Sequence, residues 1–384
     1  MSNVSELLAE RSQIRADLLA HKIPKRVPVY AGFTLSAACG YAGTSYMEAH
    51  YNPELREQAF DAICRDFYAD AVPVSDLRLP LPYQILGAKN WVLASNGIVQ
   101  HPEIETMAVE DYDDFIRAPY ETMLEKFLPR ACAALDVDPI NKALTLTKAY
   151  IAYSQAVGVT SGIARQMRQK YGYAPGIVRG NMLEAPFDFL ADQLRGFKGI
   201  SMDVRRCPDK VKAAVEAIIP LMLKQALATP VLPGTLDFIP LHLAPYLSDK
   251  VFKELYWPSL EYCITKLDKQ GVGCRIFAEN DWTRFAYALA ELPKSTLVLF
   301  EDGDYSKIKK TVGRNHIIGG FYNPTKTLSM SEEECIEDVK RIVDVCMEGG
   351  RFYFSFDRSV MDINSIDTRK LQLVLEWVRD NAKY

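Results

Sequence analysis

The sequence predicts one α/β domain, a (β/α)8 barrel spanning residues 1–384, with an N-terminal helical segment over 1–24 and a helical insertion over about 114–174. Three observations lead there. Short apolar runs recur along the chain, stretches of helical periodicity separate them, and 384 residues suit a large barrel folded as one unit.

The runs are VPVYAGF (27–33), DAVPVSD (70–76), GIVRGN (176–181), TPVLPGTLDF (229–238), GCRIFAEN (273–280), STLVLFED (295–302), NHIIGGFYN (315–323) and RFYFSFDR (351–358). Their β-branched and aromatic content fits parallel strands buried on both faces. Helices are expected over 53–68, 207–227, 249–270 and 331–349. The last opens on Ser331 ahead of Glu332, Glu333 and Glu334, an N-cap with an acidic first turn, and stops at Gly349-Gly350. The segment from 114 to 174 breaks the alternation with nearly continuous helix, a candidate cap, pocket wall or homodimer contact.

Composition narrows the functional classes. Hydrophobic content of 48% with 24% charged residues is that of a globular protein able to bury a large core. A net charge of −4 lacks the basic footprint of a nucleic-acid binder. No apolar stretch is long enough for a membrane span and the N-terminus is charged throughout, so a cytoplasmic protein is expected. The cysteines (Cys39, Cys64, Cys132, Cys207, Cys263, Cys274, Cys335 and Cys346) are scattered without a CxxC pair and read as reduced thiols.

Three longer stretches carry a family likeness: NMLEAPFDFLADQLRGFKGISMDVRRCPDK (181–210), APYLSDKVFKELYWPSL (244–260) and IIGGFYNPTKTLSMSEEECIEDVKRIVDVCMEGGRFYFSFDRSV (317–360). In order and spacing they resemble the uroporphyrinogen decarboxylase superfamily. That resemblance implies a (β/α)8 barrel and one of two chemistries: cofactor-free decarboxylation of a tetrapyrrole, or methyl transfer from a small donor to a corrinoid protein.

The decarboxylases of that superfamily carry arginines in the loop after the first strand to bind substrate carboxylates. The corresponding loop here, AGFTLSAACGYAGTSYMEAH (31–50), contains neither arginine nor lysine, a poor match for an octacarboxylate. VPVSDLRLPLP (72–82) resembles the segment that places an aspartate near the pyrrole nitrogens, which points to Asp76. Zinc-dependent methyltransferases of the superfamily use a His-x-Cys pair and a late Cys; these positions fall on Arg275, Phe277 and near Arg358, so no zinc is predicted.

Barrel chemistry sits at the C-terminal ends of the strands. Read together, those ends supply Glu279, Asp76 and Asp237 as candidate catalytic carboxyls. Tyr30, Phe33, Arg179, Asn181, His242, Arg275, Asn280, Trp282, Tyr322, Asp357 and Arg358 are candidate substrate contacts. Carboxyls kept protonated by burial, interleaved with aromatics, suit release of a phenolate from an aryl methyl ether. The resemblance therefore implies a zinc-independent O-demethylase component that passes a methyl group to a corrinoid (cobalamin) on a partner protein, since no Asp-x-His-x-x-Gly cobalamin motif occurs in this chain. A carboxy-lyase and a non-catalytic ligand-binding barrel are the alternatives.

Overall fold

The computed structural model describes residues 2–384 apart from Leu77, Thr229 and Pro233, and side chains other than those of Ser2, Asn3, Arg179 and Gly180. Its strands are β1 (Phe33–Thr34), β2 (Val74–Ser75), β3 (Val92–Leu93), β4 (Val99–Gln100), β5 (Val178–Met182), β6 (Leu236–Leu241), β7 (Gly273–Asp281), β8 (Thr296–Asp302), β9 (Ile317–Gly320) and β10 (Phe352–Tyr353). A parallel sheet runs β5-β6-β7-β8-β9-β10, and β1 pairs in parallel with β2. Single parallel bridges, Val29↔Phe354 and Ala71↔Ala174, join that pair to both edges of the larger sheet. The eight parallel strands thus form a ring, one from each apolar run.

The β1–β2 side of the ring is thin because its runs contain prolines. Pro28 and Pro73 accept through their carbonyls from Phe354 N and Phe33 N, each at 2.8 Å, but have no N–H to return. Along β8 the pleat separates two cores. Leu297 and Leu299 join Leu236, Ile317 and Tyr353 in an inner cluster, while Val298 and Phe300 face the helical layer. Helix Ser2–Leu19 plugs the N-terminal end: Leu18 enters the inner cluster and Arg15 donates to the carbonyls of Gly176, at 3.2 Å, and Gly234.

The expected helices occupy Pro53–Asp66, Pro208–Ala226 and Glu332–Cys346; the fourth is broken into Asp249–Val251, a wide π-helical turn Phe252–Tyr256 and Trp257–Asp268. Ser331 caps as expected: its Oγ accepts from Glu334 N at 3.2 Å and Glu334 Oε2 accepts from Ser331 N at 2.7 Å. The insertion is dominated by the 33-residue helix Pro139–Tyr171, which starts on Asp138 and ends on left-handed Gly172.

One strand is displaced along its run and one hairpin is unexpected. The run at 229–238 becomes a strand only from Leu236 and continues to Leu241, so Asp237 lies at the N-terminal end of β6, paired in register with Cys274 at the start of β7. The mouth residue on this strand is instead His242. The antiparallel hairpin β3–β4 lies outside the ring and has no counterpart among the apolar runs.

Gly320 is the tightest backbone position of the ring. Its φ is +102°, and a Cβ there would lie 1.9 Å from the Phe300 carbonyl oxygen. Replacement Gly320→Ala is expected to lower unfolding stability by about 3 kcal/mol or more. Gly271→Ala, at φ +75° with open space around it, should cost only about 1 kcal/mol. Urea denaturation of the two variants checks the difference.

Candidate active site

The site is built where β5, β6 and β7 end. Glu184 stands two residues beyond β5, His242 directly follows β6, and Glu279 lies near the end of β7. Between β5 and β6 the chain forms helix Pro186–Phe189 and a π-helical turn, Leu190–Arg195. That stretch supplies Asp188 and Asp192, one helical turn apart and on one face.

Asp188 is 1% exposed and fixes the backbone of the next strand end. Its carboxylate accepts from His242 N at 2.9 Å, Leu243 N at 3.2 Å and Tyr256 Oη at 2.8 Å. Asp192 then takes the side chain: its Oδ2 lies 2.5 Å from His242 Nδ1, while His242 Nε2 is 3.4 Å from Glu279 Oε1. Burial alone lowers the imidazole pKa, but the hydrogen bonds to Asp192 and Glu279 outweigh it and raise the pKa to about 11. His242 is therefore an imidazolium clamped between two carboxylates.

Glu184 behaves differently. Its Oε1 accepts from Gln193 Nε2 at 2.9 Å, and its Oε2 is buried without a hydrogen-bond partner. Burial, helped by the charge of Asp192, raises its pKa to about 7.

A second polar layer joins β7, β8 and β10. Asn280, held at φ 61°, donates its N–H to Glu301 Oε2 at 2.8 Å, and Arg358 Nη1 is 3.3 Å from Glu301 Oε1. Asp357 accepts from Arg358 N at 2.6 Å, and burial raises its pKa to about 6. Asp76, at the end of β2, is enclosed: its Oδ2 is 3.7 Å from Arg56 Nη2 but has no hydrogen-bond partner, and burial raises its pKa.

Beside the β5 end is a cavity of about 610 Å³. Tyr83, Trp91, Phe127, Met182, Phe189 and Glu184 form much of its wall. Trp91 stacks on His101 at 4.0 Å and on Tyr83 at 5.5 Å, with the Arg78 guanidinium carbon 4.8 Å from its ring. Hairpin β3–β4 sits between Trp91 and His101 and sets their approach. Among the described lining residues no Lys or Arg occurs, and Glu184 is the sole carboxyl.

Of the candidates named from sequence, the structure gathers His242 with Glu279 and Asn280 with Arg358, the latter pair through Glu301, and places Asp357 beside Arg358. Others lie elsewhere. Phe33 is fully buried against Phe67 and Phe356, and Tyr322 against Phe354 and Phe356. Trp282 is no pocket wall: it is buried among Phe252, Tyr256 and Phe285 and donates Nε1–H to the Glu279 carbonyl at 3.0 Å. Asn181 donates to the Ala226 carbonyl at 3.0 Å, and Asp237 is buried at the far end of the barrel. Tyr30 and Arg275 lie below the mouth, Tyr30 against Tyr353 at 5.5 Å and Arg275 against Phe238 at 5.8 Å. Arg179 lies on β5, and its side chain is outside the described residues. Glu184, Asp188, Asp192, Trp91 and His101 were missed. Among the described residues no group of three or more His, Cys, Asp and Glu side chains is arranged to hold a metal ion.

Eight parallel strands, in two sheets joined by single bridges, with ionisable groups gathered beyond their C-terminal ends make a (β/α)8 barrel of the enzyme type. The family model for uroporphyrinogen decarboxylase (URO-D) matches residues 149–360, more than half of the chain, and the protein belongs to that family. Among solved structures, a methyltransferase from Methanosarcina mazei superposes with a TM-score of 0.60 at 14% identity, over 96% of this chain and 98% of that one. At that identity the likeness is one of fold. No curated protein matches the chain in sequence.

The His242 clamp has a pH signature. The raised folded pKa adds stability that is complete below the unfolded value near 6.5, declines as pH rises, and is gone above about 11. In ¹⁵N NMR, His242 is expected to remain doubly protonated at pH 8.5, and Asp192→Asn should bring its titration down by at least one unit.

Proposed function

We propose that this protein is a methyltransferase component that takes the methyl group from a small, uncharged aryl methyl ether and hands it to a corrinoid carried by a partner protein. The cavity beside the β5 end carries this reading. It is mainly aromatic and aliphatic, it lacks cations among its described lining residues, and its volume of about 610 Å³ suits one substituted ring. An octacarboxylate tetrapyrrole would require arginines there. The methyltransferase with the same fold supports the reaction class.

The corrinoid would supply the nucleophile that accepts the methyl group. Such a flat, largely apolar group would rest on exposed apolar side chains beyond the strand ends: Met182, Tyr246, Leu328 and Met361 are all at least half exposed and follow or end β5, β6, β9 and β10. The chain's own residues act on the leaving oxygen. A phenol titrates near 10 and His242 near 11, so proton transfer from the imidazolium to the departing phenolate is nearly balanced in energy. The 2.5 Å contact with Asp192 fixes the ring, and the looser 3.4 Å contact with Glu279 is the one a ligand oxygen can share. Glu279 orients the ring, and the neutral imidazole regains its proton from solvent at the open mouth.

The test is incubation of the protein with 2-methoxyphenol and cob(I)alamin, followed by the corrinoid absorption spectrum and by catechol formation. Both should change together, and Glu279→Gln should lower the rate by about 100-fold or more while leaving ligand affinity within about threefold. Carbon dioxide release from a carboxylated substrate, with no demethylation of any aryl ether, would overturn the proposal.

A further inference from the structure

Glu184 is the poorly satisfied carboxyl that lines the cavity. One oxygen is held by Gln193; the other is buried with no partner among the described residues. A carboxyl in this setting has its carbonyl oxygen occupied by the Gln193 amide and its O–H without an acceptor. It also forms part of the cavity wall, together with Met182 and Phe189. The terminal torsion of glutamate is broad, so a small turn presents that O–H to the cavity.

Resting on the reading above, we propose that Glu184 is the specificity residue of this cavity: it donates its carboxyl proton to an oxygen substituent of an uncharged aromatic ligand, and it rejects ligands bearing a carboxylate. An O–H donor left unpaired in an apolar wall rewards a ligand that supplies an acceptor. A ligand carboxylate would instead compete for the proton and leave a buried negative charge beside Asp192.

Four groups face Glu184 from the packed elements. Asp192 and Asp188 come from the π-helical turn and the helix before it, His242 from the end of β6, and Gln193 contacts it directly. Asp192 and His242 neutralise each other as a pair, and Asp188 is held by two backbone N–H groups and Tyr256. Burial raises the Asp188 pKa to about 7 as well, but Asp188 does not line the cavity, so Glu184 is the carboxyl that a ligand there meets.

The experiment measures binding of 2-methoxyphenol by calorimetry, with no corrinoid present, so its outcome is independent of methyl transfer. Affinity should be highest at pH 6 and fall about tenfold for each pH unit above about 7, where the deprotonated form dominates. Glu184→Gln, which keeps an amide donor, should bind with an affinity that is flat from pH 6 to 9. Met182→Trp, at a half-exposed position of the wall, should weaken binding at least tenfold without disturbing the fold. 2-Methoxybenzoate should bind at least tenfold more weakly than 2-methoxyphenol at pH 8. A flat wild-type profile, a pH dependence that survives in Glu184→Gln, or equal affinity for the benzoate would each overturn the inference. Failure of methyl transfer with this binding pattern intact would overturn the reaction reading alone.

Discussion

His242 is fixed by three carboxylates with different tasks: Asp188 grips its backbone, Asp192 its Nδ1, and Glu279 faces its Nε2. The rest of the mouth depends on this clamp. Asp188 and Asp192 are presented by a helical stretch that also connects β5 to β6, so the groups that fix the histidine are tied to the two strands that flank it. The same Asp192 charge that keeps the imidazole protonated also favours the neutral form of the neighbouring Glu184. The half-buried Asp192 charge thus favours the protonated form of both groups, a cation on one side of the mouth and, with burial as the larger cause, an uncharged carboxyl on the other.

That division gives the mouth two chemical zones. Around His242 and the Glu301–Arg358 pair the surface is ionic and partly open to solvent. Towards the insertion it becomes apolar, with Trp91, Tyr83 and Phe127 in one wall and Glu184 at the boundary. Arg78 stacks over Trp91, and neither it nor any other described cation appears in the cavity lining. The insertion and hairpin β3–β4 therefore do more than shield the barrel; they supply the apolar half of the site.

The ring of strands was legible in the sequence because parallel strands covered on both faces appear as continuous apolar runs. Glu279 was legible too, since its run ends abruptly in charge. The end of β6 was not: the apolar residues of its run begin well before Leu236, so the run by itself pointed to Asp237 when the strand carries on to Leu241. Glu184, Asp188 and Asp192 were hidden for a different reason. They belong to a connecting segment and meet His242 only through contacts 50 or more residues apart. Spacing alone offered one clue, the Asp188 and Asp192 pair at one helical turn. Asn96-Gly97 could have revealed the hairpin that brings Trp91 towards His101, with Gly97 at φ +86° and the Ala94 N–H bonded to the Ile98 carbonyl at 2.8 Å.

The proposed uncharged aryl ether would sit between the apolar wall and the His242 clamp. A crystal structure of the protein soaked with 2-methoxyphenol tests it most directly. The ring is expected beside Trp91 and Phe189, with an oxygen substituent within hydrogen-bond distance of His242 or Glu184 and the methyl carbon facing the open mouth. A ring bound away from the mouth, for example in the groove beside Phe197 and Pro208, with this cavity filled by solvent, would contradict it.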